Sequence, residues 1–303
     1  MCRLLGYMGT PVLLKHFLFD SDSSLLKQTI APQQLGMLNL AGFGAAAWDT
    51  ASYTPQRPFT YRNTQIPLYD RNLQALSRKV RVNALVAHLR GVAPDSNAQI
   101  NEQNLHPFMF DGVELALAHN GDLASFQEMR FGLIEYIPPA VARCIQGSTD
   151  SEWIYALIVS ALPDVSGPLQ PGDILRAIVS ALTIIRSARD RHGVRRESSV
   201  NLVACDGKTL IATRFAFDFG RYEQSYPGNN KYLSQWYTLG RDYGYHDAEW
   251  KMVGGAGSAD SVLVASEPLT RDVSTWIEVP EYSALIVCEQ HHRRQIQIVP
   301  LDV

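Results

Sequence analysis

Short apolar runs separated by turn-forming residues dominate the hydrophobic pattern of the chain. These runs are rich in β-branched and aromatic side chains and are bordered by Gly, Pro, Asn and Asp, which is typical of strands. The predicted strands cover residues 2–8, 37–48, 84–90, 113–120, 200–205, 209–215, 261–266 and 284–288. Asp206-Gly207 is a typical hairpin turn, so the two runs on either side of it are predicted to pair with each other.

Three stretches instead have apolar residues at intervals of three and four, which is the period of an amphipathic helix. They cover residues 70–80, 151–162 and 173–189, and the Pro- and Gly-containing segment 163–172 separates the last two. Strands therefore come first, helices follow and strands return. This order predicts an α+β fold in which two sheets share one core with helices outside, rather than an alternating parallel α/β fold. Because no boundary is visible, residues 1–303 are predicted to form one domain.

The composition is that of a globular protein with a sizeable core. The 303 residues are 46% hydrophobic and 19% charged, and the formal net charge of −3 argues against a nucleic-acid-binding surface. There is no run of about 18 apolar residues and no basic-then-apolar N-terminus, so neither a membrane span nor a secretory signal is expected. The four cysteines have the spacing of neither a disulfide framework nor a CxxC metal pair. We therefore expect a cytoplasmic protein without metal or cofactor, in which Cys144, Cys205 and Cys288 are core residues.

Cys2 directly follows the initiator methionine and has two interpretations. If aminopeptidases remove Met1, as a small second residue favours, Cys2 becomes the N-terminal residue. Its free α-amine, with a reference pKa of about 7.7–8.0, then accepts the thiol proton and activates the sulfur as a nucleophile. The alternative is that Cys2 only begins a buried strand, which the neighbouring Leu4, Leu5 and Tyr7 would suit.

Arg90 and the Asn120-Gly121 pair end two of the predicted strands. A guanidinium at a strand end is able to bind a carboxylate through two parallel hydrogen bonds, although a surface ion pair is the alternative for Arg90. The amide of Asn120 and the backbone N–H groups near Gly121 are suited to stabilise an oxyanion. The alternative is that Asn-Gly forms an ordinary turn.

Asp150 lies at the start of the second predicted helix. Thr149 and Glu152 fit a capping box there, but Asp150 is not needed for that box. Its carboxylate either interacts with the helix dipole or faces a substrate ammonium group. His106, in a His-Pro pair, is expected to belong to a rigid scaffold, with a pocket wall as the alternative.

Five segments resemble, in their order along the chain, the class II glutamine amidotransferases: MCRLLGYMG, HLRG, NLHPF, AHNGDL and STDSE. That family has the N-terminal nucleophile hydrolase fold, so the resemblance implies a four-layer αββα sandwich of two mostly antiparallel sheets. The stand-alone branch of the family is the most similar, including the ergothioneine-pathway amidohydrolase that cleaves a γ-glutamyl amide. The late segment Ala265-Ser266-Glu267-Pro268-Leu269 also resembles that branch.

The resemblance implies a role for each candidate residue. Cys2 is the nucleophile with its own α-amine as base, and Asn120 forms the oxyanion hole together with the backbone of Gly121. Arg90 binds the α-carboxylate of a glutamine or γ-glutamyl group, and Asp150 binds its α-ammonium. These roles suit the chemistry, because a zwitterionic amino-acid head requires one cation and one anion.

Two departures from the family pattern affect the substrate side. Many members follow the arginine with a Ser- or Thr-containing segment that contacts the carboxylate, and this chain has Gly91-Val92-Ala93-Pro94 instead. We expect the backbone N–H groups of Val92 and Ala93 to replace those contacts. An acidic residue that the branch often has before its second strand is missing from segment 39–44.

The implied reaction is hydrolysis of a γ-glutamyl amide, either glutamine or a conjugate, through a thioester on Cys2. It releases glutamate and an amine or ammonia. The aromatic and Arg-containing segment 221–245 is predicted to be a surface loop that recognises the leaving group. The alternatives are a glutaminase subunit that supplies ammonia to a separate synthase and a non-catalytic amino-acid-binding protein. Candidate partners are therefore that synthase subunit and a second copy of the chain.

A metalloprotein built on His291-His292 is a further alternative. Adjacent residues of a strand point to opposite faces of the sheet, and the spacing matches no usual zinc site. The sequence therefore disfavours a metal site there.

Overall fold

The computed structural model describes residues 2–34, 38–92, 99–165, 167–221, 233–254, 259–290 and 293–303. Several positions that carried predictions lie outside these ranges, namely Met1, Met37, Ala93, His291-His292 and residues 222–232.

The structure contains more strands than helices. The helices in the described ranges are α1 Arg71–Ser77, α2 Phe126–Leu133, α3 Pro139–Ala142, α4 Asp150–Ala161 and α5 Pro171–Arg191. The strands there are β1 Arg3–Leu13, β2 Phe43–Trp48, β3 Phe59–Asn63, β4 Arg81–Leu89, β5 Ala116–Gly121, β6 Ser198–Cys205, β7 Thr209–Arg214, β8 Ala216–Phe217, β9 Trp236–Gly240, β10 Asp242–His246, β11 Glu249–Val253, β12 Ser261–Ala265, β13 Ile277–Glu278, β14 Ser283–Gln290 and β15 Arg293–Pro300.

The first sheet has the strand order β13-β9-β12-β1-β4-β2-β3, and neighbouring strands are antiparallel. Its two central strands, β1 and β4, pair with Arg3 opposite Leu89. Because these strands run in opposite directions, the residue before β1 and the residue after β4 come to the same edge of the sheet. These two residues are Cys2 and Arg90.

The second sheet has the order β15-β14-β7-β6-β5, and β8 pairs with β6 beside this path. The predicted hairpin is present between β6 and β7. Its turn is closed by the Asp206 carboxylate, which accepts hydrogen bonds from the N–H groups of Lys208 and Thr209. At the far edge lies β5, which places Asn120 opposite Asn201 and ends with Gly121 opposite Val200.

The two sheets pack face to face through alternate residues of their strands. In β1, Leu4 and Met8 face the second sheet, whereas Leu5 and Tyr7 face the outer side. Full burial of an apolar side chain of this size contributes about 1.5–3 kcal/mol. The alternation therefore fixes which face of β1 points toward the second sheet.

Each sheet is covered on its outer face by a different kind of layer. Helices α2, α4 and α5 cover the second sheet, where Ile154, Ile178 and Ile185 are fully buried. The first sheet is covered by α1, by the hairpin β10–β11 and by single helical turns at His16–Asp20 and Lys27–Thr29. The α+β sandwich of two antiparallel sheets is thus confirmed. One of its outer layers consists largely of a hairpin and short turns.

Several predicted elements require correction. Segment 221–245 is not one surface loop, because β9 and most of β10 lie in it and Tyr243 is buried against Phe17 with ring centroids 5.0 Å apart. The strands predicted for 37–48 and 113–120 begin only at Phe43 and Ala116. Two of the three predicted core cysteines are buried, whereas Cys144 is only half-buried. In the described ranges, no helix combines the length and the apolar character that crossing a membrane requires.

Candidate active site

Cys2 is half-buried at the edge of the first sheet. Its sulfur contacts the backbone of Gly91, with 3.4 Å between Sγ and the Gly91 nitrogen and 3.7 Å between Sγ and the Gly91 carbonyl oxygen. This contact follows directly from the pairing of β1 with β4, because Gly91 comes two residues after Leu89. The register of two buried strands therefore fixes where the thiol lies.

The thiol faces a cavity of about 580 Å³, here called the Cys2 cavity. The predicted site residues that line it are Cys2, Arg90, Val92, Gly121 and Asp150. Asn120 is not one of the lining residues, and Ala93 lies outside the described residues. The fold thus brings a thiol, a guanidinium and a carboxylate from three separate chain segments to one cavity.

Arg90 continues β4 into the wall of the cavity and is 6% exposed. Its Nη1 donates a hydrogen bond to the Gln99 carbonyl oxygen at 2.9 Å. Burial lowers the pKa of Arg90, while the nearby Cys2 and Asp150 act in the opposite direction. The guanidinium remains charged, because an arginine is not deprotonated in proteins. It is therefore a fixed positive group in the cavity that also contains the thiol and the carboxylate.

Asp150 is the first residue of α4, and backbone groups hold its carboxylate. Oδ2 accepts a hydrogen bond from the Leu123 N–H at 2.7 Å, and Oδ1 accepts one from the Ser151 N–H at 2.8 Å. Leu123 lies two residues after the end of β5, so this contact connects the start of α4 to the second sheet. The carboxylate is therefore oriented without the help of another charged side chain.

The capping box predicted at this helix start is only half present. The Thr149 hydroxyl accepts the hydrogen bond from the Glu152 N–H at 3.3 Å, as predicted. The Glu152 carboxylate instead accepts hydrogen bonds from the N–H groups of Gln146 and Gly147, at 2.9 and 2.7 Å. Burial raises the pKa of Glu152. Glu152 therefore holds the loop before α4 rather than the cap itself.

Asn120 is buried near the end of β5 and is connected to β1 through Ser266. Its Nδ2 donates to the Ser266 hydroxyl oxygen at 3.3 Å, and the same oxygen accepts the Leu4 N–H at 2.9 Å. Gly121, the next residue, has a φ of +151°. A Cβ at this position would lie 1.7 Å from the Ser199 carbonyl oxygen, so only glycine fits.

The sequence did not reveal one group of residues that lines the cavity. This group belongs to the loop after β5 and the start of α2, with Asp122, Leu123, Phe126 and Gln127. The apolar spacing of Phe126, Met129 and Leu133 was the available signal for α2. By contrast, no described residue of segment 221–245 lines the cavity.

Three histidines lie beside the cavity, and a pocket wall was considered from the sequence only for His106. His106 and His119 line the cavity, so His106 is part of a pocket wall, while His88 lies behind them. Ring centroids are 4.0 Å apart for His88 and His106 and 6.5 Å apart for His106 and His119. Burial, with the charge of Arg90 acting in the same direction, lowers the pKa of His88 and of His106 well below the usual value. Both rings are therefore neutral at pH 7.

Comparison with known proteins identifies the family. The family model for class II glutamine amidotransferases matches residues 40–217, more than half of the chain. The probable glutamine amidotransferase DUG3 of Saccharomyces cerevisiae is 26% identical over 309 residues, which cover 96% of this chain and 82% of that protein.

Two solved structures share the fold. A glutamine aminotransferase class-II domain protein from Silicibacter pomeroyi has a TM-score of 0.61 at 21% identity, with both chains fully covered. The glutamine phosphoribosylpyrophosphate amidotransferase of B. subtilis has a TM-score of 0.59 at 17% identity, and the match covers all of this chain and 50% of that one. With the family model matched from β2 to β8, the chain belongs to the class II glutamine amidotransferases, a family of amide-hydrolysing enzymes.

Proposed function

We propose that the protein hydrolyses a γ-glutamyl amide through a thioester on Cys2. The observation that carries this proposal is the common cavity of Cys2, Arg90 and Asp150. A γ-glutamyl group has a carboxylate and an ammonium at one end and an amide carbonyl at the other. The cavity offers a guanidinium and a carboxylate for the first end and a thiol for the second.

In the proposed complex, Arg90 binds the α-carboxylate and Asp150 binds the α-ammonium. The backbone N–H of Val92, on the same wall as Arg90, adds a contact to the carboxylate. Ala93 is proposed to do the same. Charge-assisted hydrogen bonds of this kind are about twice as strong as neutral ones, so they select a free amino-acid head over a neutral acyl group.

The proposed chemistry begins when the α-amine of Cys2, free after removal of Met1, accepts the thiol proton. The sulfur attacks the γ-carbonyl carbon, and the N–H groups of Gly121 and Asn120 stabilise the oxyanion. The Asn120 amide has two hydrogens, so the bond to Ser266 leaves one for the oxyanion. The ammonium then returns its proton to the leaving amine. Water hydrolyses the thioester and releases glutamate.

We further propose that the leaving group is larger than ammonia. Besides the thiol and the two charged groups, the cavity is lined by Leu123, Phe126 and Gln127. Two apolar side chains and one amide there suit the organic part of a γ-glutamyl conjugate. The alternative, release of ammonia for a separate synthase, requires no such wall.

The test is a set of γ-glutamyl amides, namely glutamine, γ-glutamyl dipeptides and γ-glutamyl thiol-histidine conjugates, assayed with protein whose N-terminus is defined by mass spectrometry. Cys2→Ala should reduce turnover to background, by about 10⁶-fold if it follows nucleophile removal in other hydrolases. Cys144→Ala, at the other half-buried cysteine, should retain activity. Full turnover by Cys2→Ala, or by a chain that retains Met1, would contradict the proposal. A strong preference for glutamine over every conjugate would favour ammonia supply.

A further inference from the structure

A buried ion pair lies directly behind the nucleophile. It joins Arg3, the residue after Cys2, to Glu267, the second residue after β12. The Arg3 Nε and the Glu267 Oε2 are 3.7 Å apart, and each side chain is 1% exposed. Because desolvating two charges costs several kcal/mol, such a pair is weak support for stability by itself. Its contacts indicate what else it does.

Arg3 holds the backbone of the nucleophile residue. Its Nη1 donates a hydrogen bond to the Cys2 carbonyl oxygen at 3.1 Å. The orientation of that carbonyl sets ψ of Cys2, the torsion about its Cα–C bond. Once Met1 is removed, ψ is the one backbone torsion that decides where the α-amine of Cys2 stands relative to β1. Arg3 therefore restrains the group that serves as the base.

Glu267 in turn fixes Arg3 and a neighbouring loop. Its Oε1 accepts a hydrogen bond from the Gln33 N–H and its Oε2 one from the Gln34 N–H, each at 3.0 Å. The preceding residue, Ser266, contacts both Leu4 and Asn120. One short segment of the chain thus contacts the nucleophile strand, the predicted oxyanion residue and the 33–34 loop.

We propose that Glu267 and Arg3 are positioning residues, which fix the Cys2 carbonyl and thereby hold the α-amine and the thiol of Cys2 in place relative to β1 and the Cys2 cavity. This inference rests on the proposed function of Cys2. Neither side chain lines the Cys2 cavity, so both act through Cys2 and not on the substrate. If the pair only held the loop in place, its loss would lower stability without changing the reactivity of the thiol in the folded protein.

The experiment compares Glu267→Gln with Asp218→Asn in the full chain. Glutamine keeps the size of Glu267 and removes its charge. Asp218, which is 11% exposed, pairs at 3.0 Å with the buried Arg189 of α5, away from β1, so its variant controls for the loss of the partner of a buried arginine. Arg3→Lys keeps the charge but replaces the forked guanidinium that reaches both partners, and it provides a second, milder variant. Melting temperatures establish which variants are folded.

Two readouts are measured. The first is kcat and KM on the preferred γ-glutamyl amide. The second is the rate of Cys2 alkylation by iodoacetamide from about pH 6 to about pH 9, followed by peptide mass spectrometry, which needs no substrate. We expect Glu267→Gln to lower kcat by about 10²-fold, as small misplacements of reacting groups do, with KM nearly unchanged. The pH dependence of its Cys2 alkylation rate should shift relative to the wild type. Arg3→Lys should show a smaller shift in the same direction.

Asp218→Asn should lose stability but keep the wild-type kcat and alkylation profile. The inference is overturned if folded Glu267→Gln and Arg3→Lys react like the wild type, or if Asp218→Asn lowers kcat to the same extent. Failure of the proposed function looks different, because turnover would then survive Cys2→Ala. If turnover requires Cys2 but Glu267→Gln is as active as the wild type, only the positioning role is rejected.

Discussion

At the scale of single residues, backbone groups orient the charged side chains of the Cys2 cavity. The Asp150 carboxylate accepts hydrogen bonds from the N–H groups of Leu123 and Ser151, and the Arg90 guanidinium donates to the Gln99 carbonyl oxygen. Because backbone groups move little, both charges are already in place before a substrate arrives. Such preorganisation avoids the cost of reorienting polar groups during binding.

Arg90→Lys tests the proposed carboxylate contact. Lysine keeps the positive charge but has no planar fork for two parallel hydrogen bonds. Loss of a hydrogen bond between charged groups costs about 1.5–3 kcal/mol, so kcat/KM for a γ-glutamyl amide should fall roughly 10–100-fold, mainly through KM. Arg81→Lys, at the exposed first residue of the same strand, serves as the control and should leave both constants unchanged. Equal kcat/KM for the two variants would contradict the role of Arg90.

The sequence indicated the cavity residues that belong to compact motifs and missed those that only the fold brings close. Arg90, Gly121 and Asp150 could be named because each lies in a short recognisable segment and lines the cavity. The contact between Asn120 and Ser266 joins residues 146 positions apart, so no local pattern contains it. The same is true of His119 and Ser151, whose Nδ1 and Oγ are 2.8 Å apart across two elements.

At the scale of elements, the predictions succeeded where periodicity and start signals agreed. Helix α4 has a Thr149 cap and a long apolar run, and the prediction missed its first residue by one position. Helix α2 was missed because it starts after Ser125, which has a φ of +56° and makes no capping hydrogen bond with its side chain. The β10–β11 hairpin was missed because its Tyr, Gly and charged residues resemble a loop until Tyr243 and Met252 pack on the first sheet.

Thr149→Ala tests the structural importance of the start of α4. The variant removes the acceptor for the Glu152 N–H, and loss of an N-cap of this kind costs about 0.5–2 kcal/mol. Urea unfolding should show this decrease in the free energy of unfolding. Thr183→Ala, on the exposed face of α5, provides a matched control and should stay within about 0.5 kcal/mol of the wild type. A loss at position 183 as large as that at 149 would mean that the cap is not the cause.

At the scale of the whole molecule, the cavity lies where strands of both sheets end, and the same junction buries imidazole rings. His88 lies on the face of β4 that points between the sheets, like Ala84 and Val86. Its ring packs against His106 in the loop before β5. No nitrogen of either ring has a hydrogen-bond partner at standard geometry among the described residues. Only packing of the two sheets keeps these rings out of water, so their protonation is coupled to global unfolding.

This coupling predicts that acid destabilises the fold. In the folded state the pKa of His88 and of His106 is well below the usual value, whereas in the unfolded chain it returns to about 6.5. As pH falls, only the unfolded chain therefore binds these protons. The free energy of unfolding is thus highest above about pH 6.5 and decreases below it. Between about pH 7 and pH 5.5 each histidine should lower the free energy of unfolding by about 1.3 kcal/mol, measured in urea.

His106→Gln should reduce this acid-induced loss of unfolding free energy by about 1.3 kcal/mol, the contribution of one histidine. His192→Gln, at an exposed position, serves as the control and should not reduce it. An identical pH dependence for His106→Gln and the wild type would show that His106 also takes up its proton in the folded state.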